Sequence, residues 1–237
     1  LFVTLAAIQT SINNEIKNSV PDRAPSFFAL DIPREGAAQF TQMVKEADPK
    51  ATINMIPALR GTIIEYGGQR VDQLEELPEG AWVLNGDRGL TYSSALPKGS
   101  EIVAGQWWPA NYKGPALVSI EAEVAKTLGI GVGDSLTISL LGVEVPAQIA
   151  SLRTVKWDNF GLNYVMVFSP GSLDAAPHNM VATLTVSKPA ERSSLNQILA
   201  LLGNGALFFN PSITVLTCAN VGLPFTLTLM VSSVSGV

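Results

Sequence analysis

The chain has one cysteine, Cys218, and one histidine, His178. A single cysteine excludes an internal disulfide and a thiolate cage for zinc. A single histidine leaves any zinc site to be built mostly from carboxylates, an uncommon choice. Cations are sparse as well: 15 Lys and Arg against 20 Asp and Glu give a net charge of −5, with no basic cluster. Neutralising phosphates needs concentrated positive charge, so nucleic-acid binding is excluded as a main role. Charge of either sign is missing from both ends, with none before Glu15 and none after Arg192. No Gly-x-Ser-x-Gly elbow occurs anywhere, which removes the commonest frame for a serine hydrolase.

What is abundant is apolar. Hydrophobic residues make up 47% of the chain and charged residues only 15%, and the excess is concentrated at the ends. Leu1 to Ile8 and Val221 to Val231 are both too short for a complete spanning helix, which needs about 20 apolar residues. The opening run lacks the basic start of a signal peptide. The expectation is that residues 1–12 are the end of a transmembrane helix, and that residues 218–237 form an apolar tail approaching a second one. The first basic residue is Lys17. This argues, under the positive-inside rule, that the segment lies outside the cytoplasm.

Between the ends, periodicity switches. Residues 26–32 read as a strand and Pro33 suits the first turn of a helix. Ala37, Phe40, Val44 and Ala47 share one helical face, and Asp48-Pro49 stops the helix. Ile53 to Tyr66 reads as extended chain broken at Pro57, with Gly67-Gly68 turning into Gln69-Arg70-Val71. A similar texture returns downstream: strands at 163–168 and 180–186, a helix at 189–202 and a strand at 212–216. Residues 72–157 differ, with short strands rich in Gly, Pro and Trp. The fold class expected is α+β: a mixed subdomain of two β-α-β halves (residues 13–71 and 163–217) with an inserted β-rich subdomain at 72–162.

The stretch Leu128-Gly129-Ile130-Gly131-Val132-Gly133-Asp134 superficially resembles a phosphate-binding loop. Both familiar loops need a helix that opens at the glycines. Here a helix over 119–128, capped by Ser119, ends at them, with Gly129 at a left-handed C′ position. No cofactor and no metal are expected. His178 lies in Ala176-Pro177-His178-Asn179 and reads as a surface turn residue. Glu75, Glu76 and Glu79 read as a solvated linker. Asp87, Arg88 and Arg153 are candidates for buried ion pairs. Trp107, Trp108, Tyr112 and Trp157 form the candidate interaction surface, because amphipathic aromatics suit an apolar interface with one wet edge. Filling a small core is the alternative for them.

The stretches "RAPSFFALDI" (23–32), "EIVAGQWW" (101–108), "VSIEAEVAKTLGIGVGDSLTISLLG" (118–142) and "ASLRTVKWDNFGLNYVMVFSPG" (150–171) resemble the extracytoplasmic region of MacB/FtsX-type ABC transporter permeases. Among these they resemble most the predicted permeases associated with lysophospholipase. The resemblance implies a porter-like α/β subdomain carrying a β-rich insertion, placed in the periplasm and anchored in the bacterial inner membrane. It implies a non-enzymatic part that couples ATP-driven movement of membrane helices to extraction or export of hydrophobic or lipid-like cargo. The implied partners are a cytoplasmic ABC ATPase subunit, a second permease copy and a periplasmic lysophospholipase or esterase. A membrane-anchored periplasmic hydrolase or lipid-modifying enzyme, using His178 or a carboxylate, stays open as the second reading.

Overall fold

The computed structural model describes residues 25, 27–156 and 161–186, and the backbone of a strand at 214–217. The expected helix at 189–202, both apolar ends, Trp157 and Cys218 lie outside the described residues. The fold is mixed and sheet-rich, with two short α-helices among the described residues.

Strand β1 (Phe27–Pro33) leads through a 3-10 turn into helix α1 (Ala37–Ala47), and the chain returns as β2 (Thr52–Tyr66). Helix α1 buries Phe40, Met43 and Val44 and ends at Asp48, whose extended backbone stops it. Downstream lie β3 (Gln69–Arg70), β4 (Arg88–Tyr92), β5 (Ser100–Gly105) and β6 (Leu117–Glu121). Helix α2 (Ala122–Leu128) follows, then β7 (Ser135–Leu140), β8 (Val143–Val155), β9 (Met166–Phe168), β10 (Asn179–Thr185) and β11 (Thr214–Thr217).

Two cores result. In the first, β10 lies between β1 and β2 and is antiparallel to both, with β11 on the far side of β1. Strands β1 and β2 are therefore parallel, and α1 is the crossover between them. Its core joins Phe27, Ala29, Ile32, Phe40, Val44, Ala182 and Leu184. In the second, β2, β4, β9, β6, β8 and β7 pair in a ring, each with the next and β7 with β2 again. This is a six-stranded barrel, and closure leaves those strands without a free edge. Ile63, Leu90, Ile120, Leu136, Ile138, Ile149, Met166 and Phe168 fill it. β5 hangs outside the ring, paired to β8.

One strand serves both cores. β2 pairs with β10 over Thr52–Ala58 and with barrel strands from Leu59 onward. Pro57 does not break it. An antiparallel ladder leaves alternate N–H groups pointing away from a given neighbour, and among the described residues Pro57 is ladder-paired with β10 alone, so a missing N–H is tolerated. Thr91 Oγ1 donates to the Pro57 carbonyl at 2.7 Å.

Three expected elements sit elsewhere than the sequence suggested. Residues 166–168, expected with the α/β halves, belong to the barrel, because all three side chains are buried there between β4 and β6. Residues 59–66 belong to it as well. The helix expected from Ser119 starts instead at Ala122. Ser119 is fully buried inside β6, where its hydroxyl accepts a 2.9 Å hydrogen bond from Ser151 in β8.

Candidate functional site

Gly129 has φ +67 and ends α2, with its own N–H and that of Ile130 bonded back to carbonyls of the last turn. This is the left-handed helix stop that a side chain would penalise. The neighbouring amides are already used. Gly131 N–H donates to Asp134 Oδ2 at 2.7 Å and Gly133 N–H to the Ile149 carbonyl at 2.8 Å. A phosphate would find those amides occupied and a carboxylate beside them. The loop is a structural joint.

The aromatic surface is built by the exit from β5. Gly105, at φ +73, turns the chain where a Cβ would press on the Ala150 carbonyl. The turn delivers Trp107 and Trp108 as a stacked pair, ring centroids 4.0 Å apart and planes 30° apart. Trp108 is buried at 4% exposure, while Trp107 is half-buried. Their indole N–H groups donate to the Ser94 carbonyl (Trp107, 3.1 Å) and the Ser93 carbonyl (Trp108, 2.8 Å). Both polar handles are thus used within the chain, so the pair presents carbon only. Tyr112 sits in the same loop, donating to the Pro115 carbonyl at 2.8 Å. It lines a shallow cleft of about 400 Å³ with Lys113, Gly114, Pro170 and Gly171. Neither tryptophan lines that cleft. Trp157, the fourth member of the expected surface, lies outside the described residues.

The expected ion pairs take other forms. Arg88 donates to the backbone carbonyls of Trp82, Val83 and Asn85, and its guanidinium lies 5.2 Å from the centre of the Trp82 ring. Asp87 accepts from Thr62 Oγ1 at 2.7 Å. The two neighbours hold two different turns and do not pair with each other. Arg153 is 1% exposed, and its guanidinium donates to the Tyr164 carbonyl, to the Val165 carbonyl at 3.1 Å and to Ser100 Oγ at 3.4 Å. Burial pushes Arg153 down to about 10, against the nearby Glu121 carboxylate, which acts to raise it. The strand pattern carried a signal for this: Ala147, Ile149, Ser151 and Arg153 alternate inward along β8.

His178 is not a free surface residue. Its Nδ1 faces the Ala176 carbonyl at 2.7 Å, so that nitrogen carries the proton, and its Nε2 accepts from Tyr92 Oη at 3.2 Å. The two rings meet edge to face, with centroids 5.5 Å apart. Among the described residues the imidazole is hydrogen-bonded to Tyr92 and the Ala176 carbonyl, and not to the serine and carboxylate that a triad requires. Among the described residues no group of His, Cys, Asp and Glu has the geometry to hold a metal ion. Nor is any helix among them long and apolar enough to cross a membrane.

No family model matches the chain. Over 185 residues, 77% of its length, it is 25% identical to an uncharacterised ABC transporter permease, YbbP, of Escherichia coli strain K12. The chain spans about a fifth of that protein, 22%. A solved domain of a putative permease protein from Porphyromonas gingivalis aligns with 82% of the chain and 87% of its own length, at 13% identity and a TM-score of 0.45. The chain is thus similar in sequence to part of an ABC transporter permease.

Proposed function

We propose that the chain is the periplasmic portion of an ABC transporter permease of the MacB/FtsX type. In this reading it is a mechanical and binding module with no chemistry of its own, and ATP is hydrolysed by a separate cytoplasmic subunit. The observation that carries the proposal is the 25% identity extending across 77% of the chain to a protein described as an ABC transporter permease. The strand ends support it. Phe27 pairs with Thr217 and with Leu184, and Thr185 pairs with Thr52, so Phe27, Thr185 and Thr217 share one end of the first sheet. The start of β1 and the end of β11 thus lie at the same end of that sheet, as a segment carried between two membrane helices requires. The residues of the first core would form the porter-like part and the barrel the inserted one.

The cargo proposed is hydrophobic or lipid-like, and the Trp107–Trp108 pair is its contact surface. With both N–H groups already bonded, the exposed carbon of Trp107 suits an acyl chain better than a headgroup. A lysophospholipase of the same compartment is the proposed soluble partner. The experiment is reconstitution of the whole transporter, with its ATPase subunit, in liposomes. Trp107→Ala with Trp108→Phe, which keeps the buried ring, should cut lysophospholipid extraction while basal ATP hydrolysis persists. Unchanged extraction would remove the aromatic pair from the proposal. ATP hydrolysis by the ATPase subunit that ignores deletion of the entire segment would remove the coupling role.

A further inference from the structure

The chain crosses between the two cores twice among the described residues. One crossing is the continuous strand β2. The other is the loop 169–178, which leaves the barrel at the end of β9 and enters the first sheet at the start of β10. We infer that Arg34, Tyr92 and His178 form a latch at this second crossing that fixes how the two cores are set against each other.

Each member comes from a different element. Arg34 follows β1 in the first core, Tyr92 ends β4 in the barrel, and His178 precedes β10. Arg34 Nη1 donates to the Asp174 carbonyl at 2.6 Å, tying the first core to the loop. Asp174 in turn closes a turn of that loop, its carboxylate accepting from Gly171 N–H at 2.6 Å. Leu173, its neighbour, is 1% exposed and packs into the barrel core. On the other side of the loop, Tyr92 Oη donates to His178 Nε2 while Nδ1–H holds the Ala176 carbonyl. Burial raises the Tyr92 phenol above its ordinary value, the Asp174 carboxylate adds to this by charge and by hydrogen bonding to the same hydroxyl, and Arg34 acts to lower it; the phenol therefore keeps its proton and remains a donor. The links run from β1 to the loop and from the loop to β4, and the imidazole needs both its nitrogens to complete them. A surface turn residue would need neither.

The latch itself stands on this geometry, and only its mechanical use rests on the transporter reading. It is tested on the full 237-residue chain with Cys218→Ser, carrying spin labels at Ala38→Cys on α1 and Lys126→Cys on α2, both exposed. Pulsed electron resonance then reads the distance between the cores. Tyr92→Phe removes the hydroxyl and keeps the ring; His178→Asn keeps the tie to Ala176 and cannot reach Tyr92. Each should raise the share of molecules outside the native distance peak about five-fold, the Boltzmann factor of one ordinary hydrogen bond. The double variant should do no more than Tyr92→Phe alone, because the bond that His178→Asn removes is already lost with the hydroxyl. Arg34→Gln should widen the distribution independently. Native distances in both single variants, or effects that simply add in the double, overturn the latch. Loss of cargo extraction in the intact transporter with native distances in this chain would instead count against the latch and leave the transporter reading in place.

Discussion

Arg153 offers the sharpest test of how the barrel is held together, and the test is Arg153→Met. Methionine keeps an unbranched stem of similar length and removes the charge. Two opposing quantities decide the outcome. Burial lowers this group well below the ordinary arginine value, to about 10, so keeping it charged in the folded state costs roughly 3 kcal/mol. The substitution recovers that. Against it stand the guanidinium's bonds to the Tyr164 and Val165 carbonyls, charge-assisted contacts of roughly 1.5–3 kcal/mol each that would leave buried acceptors behind. The longer contact to Ser100 Oγ adds little. The net expectation is a loss of about 1–2 kcal/mol, seen as a fall in Tm of roughly 3–6 °C for a chain of this size. Arg153→Lys retains a buried cation but cannot fork to two carbonyls, and it should be no more stable than the methionine variant. Thermal unfolding followed by circular dichroism measures both. A methionine variant as stable as the parent would refute the reasoning, because the carbonyl contacts would then contribute less than the cation costs.

Three further variants probe backbone strain and burial. Gly129→Val forces a β-branched residue to φ +67 and should cost about 1–2 kcal/mol by chemical denaturation; calorimetric titration of the wild-type chain with ATP should give no saturable heat. Leu141 is a leucine at φ +51 that is 73% exposed, so Leu141→Asn should raise the unfolding free energy by up to about 1 kcal/mol, read from chemical denaturation, and no gain would mean that Leu141 makes contacts worth as much as the strain. Burial raises the Tyr164 phenol above 10.0; the folded state therefore holds its proton longer than the unfolded state. That stability is fully present below pH 10 and is lost as pH rises through the folded value, so Tyr164→Phe should flatten the fall in stability above pH 10.

Local signals were legible in the sequence, and ring closure was not. The β1–α1–β2 run could be read because Phe40 and Val44 repeat at helical spacing and Asp48-Pro49 ends them. The stop at Gly129 could be read because glycine after a helical run has one common use. The barrel could not, because its closing pairs join residues far apart in the chain, such as Leu90 with Met166. Periodicity says that Met166-Val167-Phe168 is a buried strand, and nothing in three apolar residues says which core buries it. Ser119 misled for a related reason: a serine before Glu and Ala is a good cap, yet its backbone was already committed to strands on both sides. At the aromatic surface the residue types were readable, but the carbonyls that use both indole N–H groups come from Ser93 and Ser94, beyond any local pattern. His178 was misjudged because its partner Tyr92 lies 86 residues earlier.

The shared strand also sets an order of assembly. A ribosome delivers β1 and β2 early, but the strand that lies between them, β10, begins only at Asn179, about 146 residues after β1 ends at Pro33. At roughly 5–20 residues per second, β1 waits about seven to thirty seconds for its neighbour. The last barrel strand ends at Phe168 and the last fully buried residue of that core is Leu173, so the embedded unit can close before the unit that hosts it. During that interval the first half of β2 protrudes from a finished barrel with its hydrogen-bonding edge open, a ready template for a wrong strand. Pro57 does not cover that edge, because its missing N–H lies on the side turned away from β10. Early closure of one core and late arrival of β10 thus leave a single strand half-paired while the chain is made.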